Sequence, residues 1–235
     1  MTTRRPVRER QRLVGVIASP ADLEFALRMK QPPDLFELRL DCLCPIGKDL
    51  EKKFSRLSAE GRTRRGERTP LIITARDPRE GGMGNLSLQE RRDLLLRFLS
   101  HAKYVDVELR SARALKPLLA QARKRNVRLI LSFHDFKSTP TSRSLRAKAQ
   151  AAKALGADIF KVATRTDKPS ELARLVDFIS DDLKLPVSAM GIAKLGAISR
   201  LLLARSGSVL NYGSLRRSVV EGQLPIDLLR SALPR

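Results

Sequence analysis

The sequence predicts a single-domain (β/α)8 barrel, the TIM-barrel fold, and three observations support this prediction. Short apolar or β-branched runs alternate with longer stretches of helical spacing along almost the whole chain. Eight such runs occur within 235 residues, which suits a barrel of eight strand–helix units. No glycine-rich phosphate turn follows the first run in "VGVIASPADL", so an open doubly wound sheet is the less favoured alternative.

The eight short runs are predicted to be strands, joined by helical crossovers that require parallel pairing. They lie at 13–17, 35–40, 71–74, 104–109, 127–132, 159–163, 186–190 and 209–212. Helical spacing marks 87–102, 111–126, 141–156, 170–184 and 193–207, and several of these begin with a Ser or Thr that can cap a helix. The segment 49–60 fits a helix less cleanly, and a short final helix is predicted at about 226–232.

Composition limits the partners of this chain. A basic tail at 1–12 is predicted to precede the barrel domain at 13–235, and the net charge of +21 attracts anions. Nucleic acid is not an expected partner, because ten aromatic residues without tryptophan offer few stacking platforms and no recognition motif is visible. No apolar run is long enough for a membrane span, so we expect a cytoplasmic protein with no membrane partner.

Cysteines and histidines are too few and too scattered for a metal site. Cys42 and Cys44 are separated by one residue, a spacing that rarely permits an unstrained disulfide. The only histidines, His101 and His134, are far from them and from each other. We therefore predict two reduced thiols and no metal.

Charged residues occupy strand positions that should face the barrel interior. In strand 2, Glu37, Arg39 and Asp41 share one face, and in strand 4 Asp106 and Glu108 do so. The opposite faces are apolar and suit the surrounding helices. Charges inside a barrel must be paired and usually mark a site, although a purely structural ion cluster is the alternative.

Further polar residues lie at the C-terminal ends of predicted strands, where active sites of this fold collect. Arg76 follows strand 3 directly, Glu80 lies in the next loop, and His134 comes just after strand 5. Lys161 lies on strand 6 among apolar neighbours, and Arg200 lies in the helix after strand 7. Desolvation favours the neutral amine of such a lysine, which can attack a carbonyl to form an imine. A buried ion pair is the other interpretation, and the residues alone leave both open.

Six motifs together resemble one family. They are "ELRLD" (37–41), "ARDPREGG" (75–82), "SFHDFKSTP" (132–140), "GADIFKVA" (156–163), "MGIAKLGAISR" (190–200) and "EGQL" (221–224). In this order, and over nearly the whole chain, they resemble type I 3-dehydroquinate dehydratase, the Schiff-base enzyme of the shikimate pathway. The resemblance implies a (β/α)8 lyase of aromatic amino-acid biosynthesis that converts 3-dehydroquinate to 3-dehydroshikimate. It also implies that the enzyme needs no cofactor and assembles as a homodimer.

The resemblance also implies a role for each matched residue. Lys161 would form the imine with the substrate ketone, His134 would serve as base and then acid, and Glu80 would orient His134. Arg200 would bind the substrate carboxylate. The substrate hydroxyl groups would be held by Glu37, Arg39, Arg76 and Gln223.

One stretch departs from the family pattern and one alternative enzyme class stays open. Near the end, "RSVVEGQ" replaces a family stretch that often reads S-A-P-G-Q, so Val219 takes the serine position and Ser218 is displaced. A class I aldolase-like barrel acting on a phosphorylated sugar is the alternative, with a phosphate site supplied by "NYGSLRRS" at 211–218.

Overall fold

All eight predicted strands form in the computed structural model, which describes residues 10–43, 49–60 and 69–233. They are β1 (Arg12–Ile17), β2 (Leu35–Arg39), β3 (Leu71–Thr74), β4 (Tyr104–Glu108), β5 (Arg128–Asp135), β6 (Ile159–Arg165), β7 (Val187–Ile192) and β8 (Leu210–Ser214). Neighbouring strands pair in parallel in the order β7-β6-β5-β4-β3-β2-β1-β8. With β1 paired to β8, the sheet curls into the predicted (β/α)8 barrel.

Helices follow the strands around the barrel. Those within the described residues are α1 (Pro20–Leu27), α2 (Leu40–Leu43), α3 (Asp49–Glu60), α4 (Leu88–Phe98), α5 (Lys116–Lys124), α6 (Ser142–Ala154), α7 (Pro169–Ser180), α8 (Gly196–Ser206) and α9 (Ile226–Ala232). All of the predicted helices form. Helix α1 is not among the predicted helices; it begins after Ser19, whose side chain accepts a hydrogen bond from the Asp22 amide, and has Pro20 in its first turn.

Most strand ends differ from the predicted bounds by one to three residues, and two of these differences change the placement of titratable residues. Strand β2 stops at Arg39, and Asp41 lies in α2, where its carboxylate accepts hydrogen bonds from the amides of Arg76 and Met83. The prediction that His134 follows strand 5 is wrong, because β5 continues through Asp135. The continued pairing of His134 with Ala163 on β6 extends the strand.

The strands bury different residues on their two faces. The outer face packs apolar side chains against the helices, and the interior holds a second apolar cluster. Members of that interior cluster from seven strands are Val14, Leu35, Ile72, Tyr104, Ile130, Ile159 and Leu210. Side chains two positions further along five of these strands are polar and buried, namely Glu37, Thr74, Asp106, Ser132 and Lys161, and the buried Ser188 of β7 pairs in register with Lys161. The predicted inward carboxylates, such as Glu37 and Asp106, therefore lie directly above the apolar interior cluster.

The barrel closes between β7 and β8 through serine side chains as well as backbone. The Val209 amide donates to the Val187 carbonyl at 3.0 Å. The Ser188 hydroxyl donates to the Leu210 carbonyl at 2.6 Å, and the Ser208 Oγ accepts from the Ala189 amide at 3.1 Å. These hydroxyl groups satisfy buried backbone groups at the seam.

Several predictions about the basic segments and Cys44 fall on residues outside the described ranges. These include most of the tail at 1–12 and the charged segment 61–68. Strand β1 already begins at Arg12, and Cys42 is a free thiol. Among the described residues, no helix is long and apolar enough to cross a membrane.

We predict that Ser208→Ala weakens the fold by leaving the buried Ala189 amide without its acceptor. The loss should be about 1–3 kcal/mol in the free energy of unfolding measured with urea. Ser206→Ala is the matched control, because that hydroxyl bonds to the Leu202 carbonyl at an exposed position where water can replace it. Equal losses in the two variants would contradict the role of Ser208 in the seam.

Candidate active site

One pocket at the C-terminal end of the barrel brings together all eight predicted site residues. It encloses about 560 Å³, part of it open to solvent. The predicted residues that line it are Glu37, Arg39, Arg76, Glu80, His134, Lys161, Arg200 and Gln223. They come from positions spread over nearly 190 residues, so the barrel topology is what makes them neighbours.

Lys161 places its amine between two carboxylates at the base of this pocket. Its Nζ lies 3.0 Å from Glu37 Oε1 and 2.9 Å from Asp106 Oδ2, and its side chain is 5% exposed. The ring of Tyr212 covers a further side, with 3.9 Å between Nζ and the ring centroid. Lys161 is therefore ion-paired with Glu37 and Asp106, which is one of the two interpretations that the sequence left open.

Arg76 organises the carboxylates around the lysine. Its guanidinium donates to both oxygens of Asp106 at 3.0 and 3.1 Å, to Glu108 at 3.0 Å and to Ser132 at 2.7 Å. Burial raises the pKa of Asp106, but the cations of Arg76 and Lys161 outweigh burial and hold that pKa below its usual range. Asp106 is therefore ionised and bridges the two cations.

The loop after β3 is folded so that it presents Glu80. Asp77 caps the 3-10 helix Pro78–Glu80 by accepting a hydrogen bond from the Arg79 amide at 2.9 Å. The turn ends at Gly81, whose φ of 83° lies in the left-handed region that favours glycine. The Gly81 carbonyl then accepts from Arg39 at 3.2 Å, which ties the loop to β2.

Glu80 and His134 form a buried pair. Glu80 Oε2 lies 3.0 Å from His134 Nδ1 and accepts from the His134 amide at 2.9 Å. Burial lowers the pKa of His134 well below 6.5, and the cations of Arg76 and Lys161 lower it further. Burial raises the pKa of Glu80 to about 7. Near neutral pH the imidazole is thus uncharged, with Nδ1 held by Glu80.

Arg200 is a buried cation with no acid partner among the described residues. It is 5% exposed and donates from one guanidinium nitrogen to the Tyr212 carbonyl at 3.0 Å, while its Nε has no hydrogen-bond partner. Burial lowers its pKa to about 10. An isolated buried charge is costly, so this wall of the pocket favours an anionic ligand.

Gln223 is oriented by the segment that departs from the family pattern. Its Oε1 accepts from the Val219 amide at 2.7 Å, which leaves the amide group of the side chain as a donor. Val219 and Val220 line the pocket, whereas Ser218 donates its hydroxyl to the Gln223 carbonyl at 2.9 Å. Ser218 therefore supports the turn that carries Gln223.

Some residues of this site have weak or no sequence signal. The alternation of strand 4 places Asp106 and Glu108 inside the barrel, but it does not show that they hold Arg76. Arg91 of α4 donates to Glu108 at 2.7 Å and to Asp77 at 3.1 Å, although it reads as an ordinary helix residue. The contact of Tyr212 with the lysine depends on the distance between β8 and β6 across the barrel, which the sequence does not reveal.

We predict that the ring of His134 stays neutral at pH 6.5 in the folded protein. Its ring nitrogen signals, assigned by their absence in His134→Gln, should show the pattern of a neutral imidazole at pH 6.5 and change to that of an imidazolium only at more acidic pH, because burial and the neighbouring cations lower its pKa below 6.5. A titration midpoint at or above 6.5 would contradict this electrostatic description.

Comparisons with known proteins agree with the motifs. A family model described as Type I 3-dehydroquinase matches residues 20–234. The 3-dehydroquinate dehydratase of Shouchella clausii is 36% identical over 230 residues, which cover 94% of this chain and 88% of the relative. The 3-dehydroquinate dehydratase of Thermococcus gammatolerans is 30% identical, and the match covers 94% of this chain and 97% of the relative.

A solved structure extends the likeness to three dimensions. The crystal structure of 3-dehydroquinate dehydratase from Geobacillus kaustophilus matches with a TM-score of 0.81 at 27% identity, covering 95% of this chain and 90% of that one. The resemblance predicted from the six motifs is thereby confirmed. This chain belongs to the type I 3-dehydroquinase family.

Proposed function

We propose that this chain removes water from 3-dehydroquinate to give 3-dehydroshikimate through an imine formed on Lys161. The observation that carries the proposal is a buried lysine amine in the same pocket as the His134–Glu80 pair and the unpaired cation of Arg200. The relatives named above are 3-dehydroquinate dehydratases, which supports the choice of substrate.

The first step is condensation of Lys161 with the substrate ketone. The ammonium gives up a proton, and Glu37 and Asp106 are the carboxylates within hydrogen-bond distance. The neutral amine attacks the carbonyl carbon, the carbonyl oxygen leaves as water, and a protonated imine remains. That cation withdraws electrons from the adjacent carbon and makes its proton more acidic.

His134 then acts as base and as acid. In molecules whose Glu80 is ionised, Nδ1 donates its proton to that carboxylate, and Nε2 carries the free electron pair that takes the proton from the adjacent carbon. Loss of that proton converts the imine to an enamine. The electrons of the enamine then expel the hydroxyl from the next carbon, and His134 returns its proton so that the hydroxyl departs as water. Hydrolysis of the conjugated imine releases the enone and restores Lys161.

The remaining predicted residues hold the substrate. The Arg200 guanidinium is proposed to bind the substrate carboxylate, which supplies the anion that this buried cation lacks. The substrate hydroxyl groups are assigned to Glu37, Arg39, Arg76 and Gln223, all of which line the pocket. Arg76 already donates to three side chains, so its larger effect is to keep the carboxylates in place.

The aldolase alternative gains no support from the segment 211–218. A phosphate site there would need free backbone amides, but the Ser214 amide donates to the Leu224 carbonyl at 2.9 Å. Gly213 is packed so tightly that an added Cβ would lie 2.8 Å from Ile226 Cα, which places α9 against this segment. The homodimer and the cytoplasmic location stay predictions.

We predict that borohydride added together with 3-dehydroquinate fixes a covalent adduct on Lys161. Mass spectrometry of the peptides should find the reduced imine there, and Lys161→Ala should give no adduct because Lys161 is the one lysine among the described residues that line the pocket. Lys137→Ala is the matched control, since Lys137 is exposed just beyond β5 and should leave the adduct unchanged. An adduct on another lysine would contradict the assignment.

We predict that His134→Ala separates imine formation from dehydration. Turnover, followed by the absorbance of the conjugated enone, should fall at least about 100-fold, as expected for loss of a general base. Borohydride trapping on Lys161 should persist, because the lysine and its carboxylates are intact. Unchanged turnover would exclude His134 as the base.

A further inference from the structure

Tyr212 makes the one aromatic contact with the reacting nitrogen that the structure describes. Its ring centroid lies 3.9 Å from Lys161 Nζ, closer than the 4.2 Å between Lys148 Nζ and the Phe133 ring. Tyr212 is 3% exposed and the Lys161 side chain 5%, so water does not screen the contact. A cation over an aromatic face gains most when both are desolvated.

The reaction affects this contact and the two hydrogen bonds of the amine differently. The ammonium of Lys161 donates one N–H to Glu37 and another to Asp106. A protonated imine keeps the positive charge but has a single N–H, so it can donate to only one of them. The attraction of the ring acts on the charge and needs no N–H, and it therefore persists after the imine forms.

The structure also keeps this ring neutral and fixed. Burial, together with the carboxylates of Glu37 and Asp106, raises the pKa of Tyr212 well above 10, so the phenol stays protonated. Its hydroxyl has no hydrogen-bond partner among the described residues, whereas its carbonyl accepts from Arg200. The face of the ring, and not the hydroxyl, is therefore the group that meets the reacting nitrogen.

We propose that Tyr212 is a catalytic residue whose ring face stabilises the protonated imine on Lys161. The inference rests on the proposed function, because that reaction supplies the imine. It assigns electrostatic stabilisation to β8, a strand that otherwise contributes no predicted site residue.

The test varies the charge on the ring face while keeping its shape. Tyr212→Phe keeps the ring face and is the reference of the series, so the turnover of each fluorinated variant is compared with that of Tyr212→Phe. Phenylalanines with one, two and three ring fluorines, placed at position 212 during translation, carry progressively less negative charge on the face. Turnover should fall stepwise along the series, by about tenfold in total for a desolvated contact.

A second readout separates this role from packing. The pH at which borohydride trapping falls to half should move downward along the series, because a weaker ring attraction favours the unprotonated imine. Thermal melting of each variant controls for folding. Equal turnover and equal trapping across the fluorinated series would overturn the inference.

The two levels of proposal fail differently. If the unaltered protein neither dehydrates 3-dehydroquinate nor traps it on Lys161, the proposed function is wrong and this inference falls with it. If the unaltered protein does both and the fluorinated series is flat, only the role of Tyr212 is wrong.

Discussion

The bridge that Asp106 makes between Arg76 and Lys161 is the interaction on which the site depends. The carboxylate is fully buried, so neither cation could share it with water. Breaking a buried pair leaves an uncompensated charge, which costs about 3–5 kcal/mol. Arg76 in turn holds Glu108, which accepts from the Asp77 amide at the base of the Glu80 turn. Through Arg76, the carboxylate of Asp106 thus connects the position of Lys161 with that of Glu80, the partner of His134.

The fold was largely predictable because its signals are local. Apolar runs bounded by caps and turns gave every strand, and alternation within "DLFELRLD" and "YVDVEL" placed Glu37, Asp106 and Glu108 in the interior. Because the strands are parallel, the residues at their C-terminal ends then had to lie at the same end of the barrel. Where local signals conflicted with pairing, the prediction failed. His134 reads as a turn residue in "FHDFKSTP", yet its pairing with Ala163 keeps it in β5.

The site was only partly predictable, because its chemistry depends on distances between strands. The sequence could not decide whether Lys161 is neutral or ion-paired, since that depends on how close Glu37 and Asp106 come across the barrel. Nor could it show that Arg91 reaches Glu108 and Asp77 from a surrounding helix. Roles for matched residues came from the resemblance, and residues outside the motifs, such as Tyr212, had no such guide.

The proposed binding of a carboxylate by Arg200, a cation without an acid partner among the described residues, would link the stability of this protein to the supply of its ligand. Without a ligand, the native state contains a buried positive charge that no side chain of the described residues neutralises. A carboxylate bound there would act as the missing counter-ion, and a ligand that binds only the native state stabilises it by mass action. Substrate would then serve as a structural component of the enzyme, and a starved cell would hold the enzyme in its less stable form.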